Sequence, residues 1–202
     1  MEHMNKQFLI IIILISSGLN QLRADSPLTS TTFYTSYLEY EVVANAAQTL
    51  QLDNKTLQFI VDPNERLDVK VAVINALGWA KAELLAPVLL GTLTDKYKHS
   101  DISRYSAADI TCYAYMLAMD DYFNVAEASI LIEQARNEQT GSATISMIWA
   151  LIKGQEMMDY SWCDVWMKTS EALRSTSEPR DMKTAAIQNI VDYTILYKEY
   201  CY

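Results

Sequence analysis

Chemistry in this chain has few places to start. His3 lies in an N-terminal segment that reads as an export signal, which leaves His99 as the single imidazole of the remainder. A hydrolytic triad needs that imidazole beside a Ser or Cys nucleophile. No G-x-S-x-G context exists, and His99 follows Lys98 in a polar stretch at a predicted helix end, so a solvated histidine near a helix C-terminus is expected. Cys112, Cys163 and Cys201 lack the close pair spacing of structural zinc. Met116, Met119 and the Met157-Met158 pair offer soft thioethers that copper could accept, but nine methionines in a helical chain read as core gap-fillers. No metal, cofactor or catalytic residue is assigned.

Paired carboxylates are the remaining catalytic option. Asp120-Asp121, and Asp159 with Asp164, could perform acid/base work of the glycosidase type, which needs two carboxylates several ångströms apart. Adjacent acids at a helix end more commonly mark a solvated turn. A deep pocket joining Asp120 to Asp164 would point to a hydrolase; a shallow acidic or aromatic face without convergent polar groups would point to a binding scaffold. Aromatic residues supply the positive hint for the latter. Tyr160, Trp162 and Trp166 gather at one predicted helix start, and Tyr193, Tyr197 and Tyr200 repeat on the next helix. The candidate partner-binding surface is therefore Tyr160, Trp162, Trp166, Tyr193 and Tyr197.

Few glycines and prolines, together with apolar residues at helical spacing, predict an all-α fold. After a polar arm over 25–30, helices are expected near 32–50, 54–61, 66–79, 83–97, 106–120, 124–138, 142–158, 161–175 and 179–200. Asn54, Asn64, Ser106, Asn124, Ser142, Ser161 and Ser177 are the candidate N-caps, while Pro87 forces its helix to start late or kink. Residues 67–79 carry apolar side chains on two faces, as do residues 110–119, so both belong in an inner layer of stacked helix hairpins. If the last two helices form a hairpin turning near residue 177, Cys201 lies some ten residues beyond the point opposite Cys163, or roughly 15 Å away. Mostly free thiols are expected on that count, with Cys112 buried.

The N-terminus sets the address. Met4-Asn5-Lys6-Gln7 leads into the apolar block Phe8 to Ile15, then into small residues and a plausible cut after Ala24. The block is too short for the roughly 20 apolar residues of a membrane span, so residues 1–24 read as a signal peptide and 25–202 as a single exported helical domain, periplasmic or extracellular. Loss of Lys6, Arg23 and Glu2 leaves 14 basic and 24 acidic residues, a net charge of -10. That balance argues against nucleic acid or anionic membranes as partners. No membrane span is expected in the mature chain, and its oligomeric state is left open.

The run LDVKVAVINALGW, residues 67–79, resembles the second helix of a HEAT-type repeat. The stretch from Val125 to Leu173 is similar to tetratricopeptide-type helix pairs in its hairpin lengths, with Ala126, Ala128 and Ala135 permitting close approach. The chain with its leader also resembles small exported bacterial helical proteins. The resemblance implies a short α-solenoid or irregular bundle that binds a protein or peptide, an immunity protein against an exported toxin being one concrete form. A small carboxylate-dependent hydrolase is the alternative.

Overall fold

Segments that are apolar around most of the helical circumference have no face to show to water, and they set the layering of this molecule. A computed structural model of the chain describes residues 26–79, 83–178 and 180–202. The leader reading and its cut after Ala24 fall outside these. In chain order the helices are α1 (Pro27–Ser30), α2 (Glu41–Thr49), α3 (Asn54–Val61), α4 (Leu67–Leu77), α5 (Ala86–Tyr97), α6 (Ala107–Asp120), α7 (Ala126–Glu138), α8 (Ala143–Met157), α9 (Trp162–Ser175) and α10 (Thr184–Thr194). Single 3-10 segments cover Phe33–Tyr37, Ile102–Arg104 and Ile195–Cys201. No strand occurs among the described residues, and the fold is all-α.

Inner and outer helices follow directly from the pattern. Every residue from Asp68 to Leu77 in α4 is buried, as are Asp109 to Met116 of α6 and Ala143 to Ile152 of α8. These three helices form a row, α4 against α6 and α6 against α8. The outer helices bury one stripe each: Ala86, Leu89 and Leu93 of α5, Ala128, Ile132 and Ala135 of α7, and Val165, Thr169 and Ala172 of α9. Spacings of three and four keep each stripe on one face. The hairpins α6–α7 and α8–α9 thus stack side by side, as the two-faced apolar pattern predicts.

Local signals explain most boundaries. Ser106, Ser142 and Ser161 accept from the backbone N–H three residues on, as expected. At α3 the cap is Asp53 rather than Asn54, and backbone N–H donation to its carboxylate holds that group below the usual aspartate range. Asn64 and Asn124 lie in the turns before α4 and α7 and cap neither, and Ser177 does not cap α10, whose N-cap position is Lys183. Pro87 stands at the start of α5, where its missing N–H removes no helical bond. The expected first helix is instead the Phe33–Tyr37 3-10 turn followed by α2.

Two expectations need correction. Residues 26–30 are not a loose polar arm: Ser26 caps α1, and Pro27 and Leu28 are buried, with Pro27 lying close to Gly154 of α8. Leu28 and the proline ring carry enough apolar area to hold this short turn against the core. The second correction concerns the thiols. Cys163 and Cys201 are joined by a disulfide with their Cα atoms 4.7 Å apart, while Cys112 is free and buried. Ser177 and Asp181 do not belong to a tight hairpin turn; they lie over the start of α8. There Ser177 N–H donates to the Gly141 carbonyl at 3.0 Å, and Asp181 accepts from the Ala143 and Thr144 N–H groups at 2.7 and 3.0 Å. Gly141 has φ +87, and a Cβ there would come within 2.6 Å of the Ser177 hydroxyl, so this close approach requires glycine. As a result α10 packs on the Phe33–Tyr37 turn, and the 3-10 segment Ile195–Cys201 lies along α9 in its place. The residue count behind the free-thiol expectation assumed one continuous helix over that distance.

Buried polar groups cross-link the layers. Asn75 of α4 accepts from Tyr34 N–H at 3.0 Å and donates to the Thr31 carbonyl and the Tyr115 hydroxyl, both at 2.9 Å. Asp68 accepts from both arms of Arg66 and from the Tyr37 hydroxyl, which in turn accepts from Lys183 N–H ahead of α10. Asp109 accepts from Lys96 at 2.7 Å and from the Tyr97 hydroxyl at 2.6 Å, tying α6 to the end of α5. Each bond satisfies a group whose burial unpaired would cost about 1–3 kcal/mol.

Three outcomes follow from this packing. Asn75→Ala strands three partners and should destabilise the chain by about 3–5 kcal/mol in denaturant titration; a loss below about 1 kcal/mol would refute the role given to Asn75. Burial raises the Tyr115 and Tyr37 hydroxyls well above the ordinary phenol value, with Asp68 adding to the effect at Tyr37. Groups raised in the folded state contribute stability that is complete below their unfolded value, about 10, and lost as pH rises through the folded one. Stability should therefore fall progressively above about pH 10, and Tyr115→Phe should flatten that fall. Burial also pushes the Cys112 thiol up to about 12. Thiol titration should accordingly find none reactive in the native unreduced protein, one in denaturant, and all three after reduction.

Candidate functional site

Antiparallel hairpins bring the turns that follow α4, α6 and α8 to one end of the helix rows. The carboxylate of Asp120, closing α6, accepts from Ala86 N–H at the start of α5 at 2.6 Å. Just beyond α4, Trp79 meets Tyr122 edge-on with centroids 5.2 Å apart, and Tyr122 contacts Phe123 at 4.2 Å. Phe123 sits in a turn whose backbone is held by Asp121, which accepts from its N–H at 3.3 Å. Across from this turn stands the link between α8 and α9, carrying Asp159, Tyr160 and Trp162.

Between the two turns lies an open cleft of about 450 Å³. Tyr122, Phe123 and Asn124 line one side, and Met158, Asp159, Tyr160 and Trp162 the other, with Ser26, Val125, Gln155 and Glu156 also contributing. Phe123 and Tyr160 are 80% and 81% exposed and Trp162 is 48% exposed. Large rings so open to water are unusual, and their gathering on two facing turns is the feature that distinguishes this end of the molecule.

The surface expected from the sequence divides in two. Trp162 packs edge-on against Tyr200 at 4.7 Å and Tyr197 at 6.5 Å, and its indole N–H donates to the Met158 carbonyl at 3.1 Å. Tyr193 and Tyr197 share a hydroxyl contact of 2.9 Å. Tyr197 is buried, and Trp166 is half-buried with the Lys198 ammonium 5.8 Å from its ring. Of the five residues only Tyr160 and Trp162 line the cleft; Trp166, Tyr193 and Tyr197 flank or support it. The Cys163–Cys201 bond joins the start of α9 to the final 3-10 segment directly beside these rings. Trp79, Tyr122 and Phe123 escaped sequence reasoning. An available signal was the position of Tyr122-Phe123 in a predicted polar turn behind two aspartates.

Of the carboxylates selected from the sequence, Asp159 alone lines the cleft. Asp120 serves the start of α5, Asp164 lies in the first turn of α9, and neither lines the cleft. The cleft's own acids, Glu156 and Asp159, come from one helix end; Glu156 is already paired with Lys153 and accepts from the Ser129 hydroxyl at 2.9 Å. His99 is half-buried beside Tyr97 and Tyr105, at 5.9 and 5.4 Å between ring centres, and its carbonyl accepts from the Tyr105 hydroxyl. Met116 and Met119 are core side chains. Among the described residues no helix is long and apolar enough to cross a membrane.

No known protein family, curated protein or solved structure matches the chain.

Proposed function

We propose that this chain is an exported helical scaffold that docks a protein or peptide partner on its aromatic end face. The carrying observation is the pair of facing turns that present Phe123, Tyr160 and Trp162 to solvent across one cleft. Aromatic rings are the side chains that most often dominate a protein interface, because each removes a large apolar area from water on contact. One of the three is also held in place. Trp162 is wedged against two tyrosines and bonded to Met158, and the disulfide anchors the segment that carries those tyrosines. Little side-chain freedom is then left to lose on binding, which favours affinity. Asp120, bonded to the Ala86 N–H, and Asp164, in the first turn of α9, do not line the cleft, which supports docking over carboxylate hydrolysis. Export rests on the leader pattern in the sequence and fits the presence of a disulfide.

Capture by the tagged chain from the extracytoplasmic fraction of its native cell, read by mass spectrometry, tests this reading when paired with Phe123→Ala and Tyr160→Ala. Both side chains are almost wholly exposed, so thermal stability should stay close to that of the parent. One stoichiometric partner should be captured by the parent and lost, by about tenfold or more, with the double variant. A partner held equally by parent and double variant would refute the aromatic end face as the docking surface.

A further inference from the structure

The chemistry of the cleft is more specific than an apolar groove. Its walls are lined by the rings of Tyr122, Phe123, Tyr160 and Trp162, and the polar groups among them are Glu156, Asp159, the Ser26 hydroxyl and the amides of Asn124 and Gln155. No Lys, Arg or His lines it among the described residues. Glu156 is compensated by Lys153, but Asp159 is exposed and forms no ion pair among the described residues. Asp121 and Glu127, both exposed, stand on the adjoining turn and first helical turn of α7. The nearby cation on the other side, Lys198, lies over Trp166, which is outside the cleft. The whole chain carries a net charge of -9.

Resting on the scaffold reading above, we infer that the cleft receives an arginine or lysine side chain from a basic segment of the partner, the cation lying against the rings and meeting Asp159. A cation over an aromatic face is attracted by the ring's quadrupole, and a carboxylate at the edge of the same pocket adds direct Coulomb attraction. The aliphatic stem of Arg or Lys suits the remaining apolar wall, so one side chain uses both properties of the cleft. An acidic segment would meet repulsion from Asp159 and from the overall charge. A purely apolar one would leave Asp159 partly desolvated without a partner. Acidic surroundings also steer a basic partner during approach, which makes the association rate sensitive to salt.

The test uses the purified chain and three acetylated, amidated nonapeptides built on Gly-Ser spacers, with two central arginines, two citrullines or two leucines. Citrulline keeps the shape of arginine and removes its charge. Binding is followed by indole fluorescence and by amide and indole NMR shifts at low and physiological salt. The arginine peptide should shift the signals of Phe123, Tyr160 and Trp162, bind at least about fivefold more tightly than the citrulline peptide, and weaken as salt rises. Asp159→Asn should reduce its affinity by about fivefold while leaving the thermal transition unchanged. Equal binding of the arginine and citrulline peptides would overturn the inference. So would preference for leucine, or an arginine peptide that moves none of these signals. Leucine binding at the same residues would sink the cation but keep the docking face. Failure of the scaffold reading itself shows separately, as a captured partner indifferent to Phe123→Ala and Tyr160→Ala.

Discussion

Among the described residues, three helices bury every side of their central turns, and the other elements are arranged to cover them. In α4, α6 and α8 even the polar residues Asp68, Asn75, Asp109, Thr111, Thr144 and Ser146 are buried. Removing apolar area from water contributes roughly 25 cal/mol per Å², so leaving any of these helices at an edge would forfeit a large part of the folding free energy. A row of three then needs outer helices on its flanks and closures at its ends. The single-stripe helices α5, α7 and α9 supply the flanks, while α1, α2, the Phe33–Tyr37 turn and α10 complete the enclosure.

Apolar burial alone does not choose a register, and the polar knots perform that task. Asn75 binds three groups from two separate parts of the chain, and the Tyr37 hydroxyl connects Asp68 on α4 to the backbone ahead of α10. Asp181 does the same at the start of α8, placing a negative charge where the helix dipole and its open N–H groups favour one. Sliding any of these elements by one residue would break several bonds, those of Asn75 and Asp68 at buried groups. The Phe33–Tyr37 turn and the start of α10 are therefore tied to the inner row of helices.

That arrangement explains why the proposed docking surface sits where it does. Alternating hairpins send the turns after α4, α6 and α8 to a common end, and the disulfide holds the final 3-10 segment beside the third of them. The Phe123 and Tyr160 rings on these turns are not consumed by the core, so they remain available to a partner. Buried rings such as Tyr115 and Tyr37 are consumed and act as structural hydroxyl donors or acceptors.

The amino-acid order by itself determined the helical class, most helix positions, the late start at Pro87, the serine caps and the two-faced inner helices, because each is a local consequence of side-chain spacing or backbone chemistry. It also marked Tyr160 and Trp162, which lie one turn apart from their neighbours in sequence as well as in space. The tertiary structure alone decided the rest. The joining of Cys163 to Cys201 depended on where Ser177 and Asp181 dock, which is set by their bonds to Gly141, Ala143 and Thr144 at the start of a helix far back in the sequence. The second wall of the cleft, Tyr122 and Phe123, came from a different hairpin than the first. Whether two turns share one end of a stack is a property of topology and of the lengths of the intervening helices, and no window of sequence contains it.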